Sequence, residues 1–242
     1  MSNLMVFLIF AIVNFALIAT VFRFWGKQGI LAYIVLSVIA ANIQVNKGVI
    51  FNFGLFELEA TLGNVMFAGI FLATDLLNEK YGAQAARNAV HLSIFANISF
   101  ILIMFIATLF QGMDYSSDFN SALNLFFAVN GGTFKAVLIG NLVYFISQSL
   151  DVLVYDRIRK WDGSSKTLWI RNNGSTMISQ LVDTLLVTLG FALAGIFPIE
   201  IAGSIIITTL IVKYIAALID TPFLYLMSRV SPRAKIAEQE AA

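Results

Sequence analysis

The sequence predicts an all-α integral membrane protein with about seven transmembrane helices. Three observations predict it. Hydrophobic residues make up 59% of the 242-residue chain and charged ones only 12%, against about 25% charge in a soluble domain. Seven apolar stretches approach or exceed the roughly 20 residues needed to cross a hydrocarbon core about 30 Å thick. Basic residues gather in alternate connections, as they do on the cytoplasmic side of a membrane.

The seven spans lie at about 4 to 22, 29 to 46, 60 to 78, 88 to 110, 133 to 156, 176 to 197 and 201 to 227. The alternation of an outer-membrane barrel is missing, which leaves helices as the spanning structure. Span 1 lacks the basic leader and small-residue cleavage site of a signal peptide and is read as a mature helix. Twelve of the fifteen basic residues follow spans 1, 3, 5 and 7, whereas Glu57, Glu59, Asp114, Asp118 and Glu200 occupy the opposite connections. This charge bias predicts an outside N-terminus and a cytoplasmic C-terminus, in an inner (cytoplasmic) membrane. Trp25, Trp161 and Trp169 fall on the basic side, as interfacial anchors do. Between spans 4 and 5, the run Phe119 to Val129 reads as a short amphipathic helix on the outer surface. A loose polar tail follows over 231–242.

Several chemistries are excluded. The chain has no Cys and one His, His91, so neither a thiolate site nor a zinc site can be assembled. A net charge of +1 gives no reason to expect nucleic acid as a partner. Phosphate-cradling glycine loops and nucleophile elbows are absent, so the chain carries no ATP-driven engine of its own. The reading calls for no cofactor and no metal.

The polar residues inside the spans carry the functional signal. Ser147-Gln148-x-x-Asp151 lies in span 5, and Ser179-Gln180-x-x-Asp183 repeats the word in span 6. A carboxylate facing lipid costs several kcal/mol, on the order of 3 by insertion scales, so these acids face protein or water. The four-residue spacing puts Ser and Asp on one helical face, with Gln at its edge. By these boundaries Asp75, Asp151, Asp183 and Asp220 all fall within roughly 5 to 11 Å of the cytoplasmic surface. Lys213 is the basic residue deep in a span, two turns before Asp220 on the same face. Pro222 removes a helical hydrogen bond beside Asp220. Asn42, Asn64, Asn97 and Asn141 are amides in apolar runs, suited to binding helices together.

One long word is specific. Phe71-Leu72-Ala73-Thr74-Asp75-Leu76-Leu77-Asn78-Glu79-Lys80-Tyr81-Gly82, followed by Ala85-Ala86-Arg87, closely resembles the signature of the bacterial queuosine precursor transporter family, also grouped as vitamin uptake-like transporters. Asn42-Ile43 with Lys47, both Ser-Gln-x-x-Asp words, Arg171-Asn172 and Lys213 extend the resemblance over about residues 30 to 228. It implies import of 7-deazaguanine bases such as preQ0, preQ1 or queuine for the salvage of tRNA queuosine. The usual member is a six-helix unit, so the resemblance implies a six-helix transporter core over 29–230 with one extra N-terminal helix over 1–28 in front of it.

The leading expectation is therefore a secondary transporter of a small nucleobase, working by alternating access. Asn42, Asp75, Gln148, Asp151, Gln180, Asp183 and Lys213 are the candidate substrate-binding residues. Glu79, His91 and Asp220 are candidates for proton relay or gating. The lipid bilayer is the other partner, and a homodimer is compatible with the sequence. One alternative is the substrate-binding subunit of an energy-coupling-factor transporter, which would borrow an ATPase. A remote one is an intramembrane aspartyl enzyme, for which Tyr155-Asp156 has no glycine-flanked partner word.

Overall fold

The computed structural model describes residues 2–52, 57–128 and 132–233, without the side chains of 57–60 and 132–134. Most of the loose tail expected from residue 231, and the outer-loop side chains Glu57 and Glu59, lie outside the described residues. Among them are seven α-helices. α1 spans Asn3–Gln44, α2 Gly63–Tyr81, α3 Ala83–Thr108, α4 Ser117–Phe127, α5 Gly132–Trp161, α6 Leu168–Leu193 and α7 Ala202–Arg229.

α1 is two spans joined at one residue. Its 42 residues would make a rod about 60 Å long, twice the thickness of a bilayer core. Gly26 breaks it, with φ 55° and ψ −130°, a conformation open to glycine because there is no Cβ to collide with the backbone. The halves fold back on each other: the Tyr33 hydroxyl donates to the side chain of Asn14, nineteen residues earlier. The turn is packed shut by the chain's far end, since Arg23 donates to the carbonyl of Ser231 and Pro232 lies against Gly26. Spans 1 and 2 of the sequence reading are thus both present, with a one-residue corner where a connection was expected.

Counting α1 as two, seven helical segments run between two ends. Five helices are long and apolar enough to cross a membrane on their own composition. α2 is shorter and carries Asp75, Glu79 and Lys80, yet it lies at the centre, packed against α1, α3, α5 and α7. Its neighbours' outward faces carry exposed Leu36, Phe95, Ile103 and Leu142, which a lipid surround accommodates without penalty. α2 and α3 are separated by Gly82 alone, whose φ of 82° reverses the chain in one residue. α4 is the amphipathic surface helix, and it buries no residue.

Two departures from the sequence reading matter. The segment before α2, read as an outer loop running into span 3, forms an antiparallel hairpin of β1 (Gly48–Asn52) and β2 (Glu57–Thr61). Alternation buries Phe51 against Phe7 and Val212, and Asn3 donates to the carbonyl of Ile50, so the hairpin is pinned to the starts of α1 and α7. And α6 begins at Leu168, eight residues before the expected 176. Arg171, Asn172, Asn173 and Ser175, too polar to be read as part of a span, are helical and buried there because each finds a partner inside the bundle.

Gly26→Ala should lower stability by about 1–3 kcal/mol, because alanine is strained at this φ and its Cβ would stand 3.1 Å from the Tyr81 hydroxyl oxygen. Thermal unfolding in detergent reads this as a fall in midpoint, with Leu36→Ala on the lipid-facing surface as the neutral comparison.

Candidate functional site

The two repeated words meet. α5 and α6 run antiparallel, and each serine donates to the other word's aspartate: Ser147 to Asp183 Oδ1 at 2.9 Å, and Ser179 to Asp151 Oδ1 at 3.0 Å. Four residues separate Ser from Asp in each word, so the two bonds lie one turn apart, about 6 Å along the axis. Asp183 and Asp151 are therefore at different depths. The common level expected for the four carboxylates followed from starting span 6 too late.

The upper bond borders a cavity. At the hairpin end, α1, α2, α5, α6, α7 and β1 enclose about 880 Å³, within the roughly 300–1,000 Å³ typical of small-molecule sites. Its polar floor is Asp183 with Lys213. Lys213 Nζ donates to Asp183 Oδ2 at 2.6 Å and to Thr184 Oγ1 at 3.2 Å. The lysine side chain is 7% exposed and the aspartate 20%, so the carboxylate is the part of the pair that meets the void. Two of its four or so acceptor positions are occupied, by Ser147 and Lys213. The walls are aromatic. Phe67 and Tyr144 stand together on one side, ring centroids 6.3 Å apart, and Phe191 and Phe197 form a second pair at 6.4 Å. Asn42, Asn64, Thr188 and Thr208 add polar atoms to the lining.

Beneath the floor lies a layer of buried polar side chains. The Gln148 amide oxygen accepts from Thr74 at 3.1 Å. Asp75 and Asp151 lie within side-chain hydrogen-bonding reach of each other, and Ser175 and Thr176 approach Asp151 from α6. Deeper again, Asp220 Oδ1 accepts from Asn172 at 3.0 Å, and Asn172 and Asn173 both donate to Thr221. Nearest the basic end is a second ion pair. Arg171 grips Glu79 with two bonds, Nε to Oε2 at 3.0 Å and Nη2 to Oε1 at 2.8 Å, while Tyr155 donates to the same carboxylate at 2.9 Å. Arg159 reaches the carbonyl of Asn78 beside it. Asp183 and Arg171 are twelve residues apart on α6, so this polar file runs about 18 Å through the bundle.

Of the candidate residues, Asn42, Asp183 and Lys213 line the cavity, whereas Asp75, Gln148, Asp151, Gln180 and Asp220 are buried in the file below it. Glu79 closes the file at its far end. His91 stands apart, exposed on α3 with its ring 5.9 Å from Phe145. Asn97 and Asn141 bond each other at 2.6 Å, tying α3 to α5. Sequence reasoning missed Arg171, taken for a loop charge. It also left the wall aromatics unnamed, because 22 phenylalanines offer no periodic signal to choose among. Thr208 and Thr209, ahead of Lys213 in an otherwise aliphatic run, were the readable hint on α7.

Removing Arg171 leaves the Glu79 carboxylate with the Tyr155 hydroxyl and a more distant Arg159, 4.0 Å away, in place of a two-bond clamp. Arg171→Ala should cost about 3–5 kcal/mol, most of it recovered when Glu79→Gln and Arg171→Met are combined. Thermal melts of the two single variants and the pair in detergent check the pattern.

A family model described as "Putative vitamin uptake transporter" matches residues 61–227. The chain is 40% identical, over 96% of its length and 97% of the relative's, to a Bacillus subtilis (strain 168) protein named "Probable queuosine precursor transporter". It is 30% identical over 53% of its length to a Haemophilus influenzae protein of the same name, covering 50% of that protein. It is 30% identical over 52% to the Escherichia coli (strain K12) "Queuosine precursor transporter", covering 52% of that protein. No solved structure matches the chain. The chain belongs to the vitamin uptake transporter family, as a multi-pass membrane protein built around a charged polar file.

Proposed function

We propose that the protein imports queuosine precursors, 7-deazaguanine bases, across the inner membrane, taking them up at the hairpin end and releasing them at the basic end. The names of the relatives support the substrate. The orientation, N-terminus outside and C-terminus cytoplasmic, rests on the loop charges: Arg87, Arg157, Lys160 and Lys166 lie at the end opposite the cavity. The cavity then faces the outside, as an importer requires before translocation.

One observation carries the reading: an ammonium–carboxylate pair with unused bonding positions forms the floor of an aromatic-walled cavity. A guanine-like edge presents a ring N–H beside an exocyclic amine, and the open positions on Asp183 accept both. Lys213 has a third N–H for the ring carbonyl, and the Asn42 amide keeps one N–H beyond the one it donates to the carbonyl of Val38. Phe67, Tyr144, Phe191 and Phe197 offer π faces to the flat ring. Gln148 and Gln180 line the way inward once access switches, and Glu79 with Arg171 holds the inner end shut meanwhile. His91 and Asp220 complete the set of groups assigned to gating and proton relay.

Asp183→Asn should weaken the base about ten- to a hundredfold, since a hydrogen bond to a charged group is worth about 1.5–3 kcal/mol. Concentration-dependent uptake of a labelled precursor, in a strain that depends on salvage and lacks its own transporter, measures it. Unchanged uptake at equal protein level rejects the site.

A further inference from the structure

The middle of the polar file has acids and no base. Asp75 and Asp151 are 1% and 0% exposed. Among the described residues, the cations nearest along the file are committed elsewhere, Lys213 to Asp183 above and Arg171 to Glu79 below. The other titratable groups that act on the pair are Asp220 on α7, Glu79 on α2 and Tyr155 on α5, and none of them supplies a positive charge. Both oxygens of Asp75, and Oδ2 of Asp151, have no donor from the protein. Beside them the Thr176 hydroxyl, which approaches Asp151, and the Gln180 carbonyl oxygen are buried and equally unpartnered. Two carboxylates in side-chain contact, walled off from water and lacking a cationic partner, repel each other strongly in a low-dielectric interior. Something outside the side-chain inventory has to bring the positive charge.

We infer that Asp75 and Asp151 form the binding site of the coupling ion, a proton shared between the two carboxyls, which enters with the base and is released toward the basic end. A proton fits this pair better than a metal ion, because among the described residues no group of three or more His, Asp or Glu side chains is placed to hold a metal, whereas a bridging proton needs only two carboxyl oxygens. The reciprocal serine bonds connect this site to the substrate floor. Ser147 and Gln148 are neighbours on α5, the first holding Asp183 and the second, through Thr74, the turn of α2 that carries Asp75. A base that draws on Asp183 pulls at the same segment of α5 that positions Asp151, which gives the two sites a mechanical link one turn long. Inward discharge has a route through Asp220 and Asn172 toward Glu79.

The inference rests on the transport reading, and one experiment separates the two. The purified full chain is reconstituted in liposomes, and preQ0, preQ1 and queuine are tested by counterflow, with the most active base carried forward. No counterflow with any base overturns the transport reading and this inference with it. An inward proton gradient is then imposed at clamped membrane potential, and an inward sodium gradient in a parallel arm. The expected result is accumulation above equilibrium with the proton gradient alone, accompanied by internal acidification that follows the base. In Asp75→Asn and Asp151→Asn that accumulation should fall to the no-gradient level while exchange continues at a measurable rate. Wild-type accumulation that ignores the proton gradient, or responds to sodium instead, overturns the inference. So does proton-driven accumulation that survives in both variants, and so does loss of exchange in both, which would assign the pair to direct substrate contact.

Discussion

The reciprocal bonds between Ser147 and Asp183, and between Ser179 and Asp151, set the terms for the rest of the structure. A carboxylate inside a bilayer is costly unless it is paired or hydrogen-bonded, and Asp183 and Asp151 both take serine donors from within the bundle. A repeated word on two antiparallel helices solves this with one register: donor faces acceptor twice, one turn apart. Slipping α5 against α6 by a single residue would turn both serines away from both acids. Register and charge satisfaction are one constraint here.

From that register follows the division of the file into an upper pair, a middle and a lower pair. Lys213 and Arg171 neutralise the acids at the two ends, and their attachments differ in kind. Lys213 meets Asp183 as a point charge at the edge of a void, where a ligand can share the carboxylate. Arg171 clamps Glu79 with two parallel bonds and a tyrosine, a geometry suited to holding helices together. The same pairing of acid and base thus serves recognition at one end and closure at the other, according to how much of each oxygen is left uncovered.

The hairpin and the first helical pair frame the cavity from outside this file. Phe51 and Ile50 tie the hairpin to Phe7 and Asn3, so the N-terminal half of α1 holds part of the cavity wall in place. The corner at Gly26 brings the same helix back to the basic end, where Ser231 and Pro232 close over it. The family match begins at residue 61, yet the alignment to the Bacillus subtilis relative spans nearly the whole chain. The first helical pair is thus matched in that relative's sequence, and in this structure it is one anchor of the hairpin, with α7 as the other.

What the sequence determined by itself was the number of spans, their alternation between two ends, the surface helix and the inward aim of the buried acids. These follow from local rules, because a bilayer demands a set length of apolar residues and penalises every exposed charge along it. Even the fold-back of the first 44 residues was marked, by Arg23 and Lys27 interrupting the apolar run. The start of α6 was hidden, because Arg171, Asn172 and Asn173 look like loop residues until Glu79, Asp220 and Thr221 are seen beside them. Only the tertiary structure decided which base neutralises which acid, which phenylalanines wall the cavity, and that Asp183 borders a void while Asp151 does not. Those outcomes depend on residues tens of positions apart coming within 3 Å or so, a matter of register and packing that no single segment encodes.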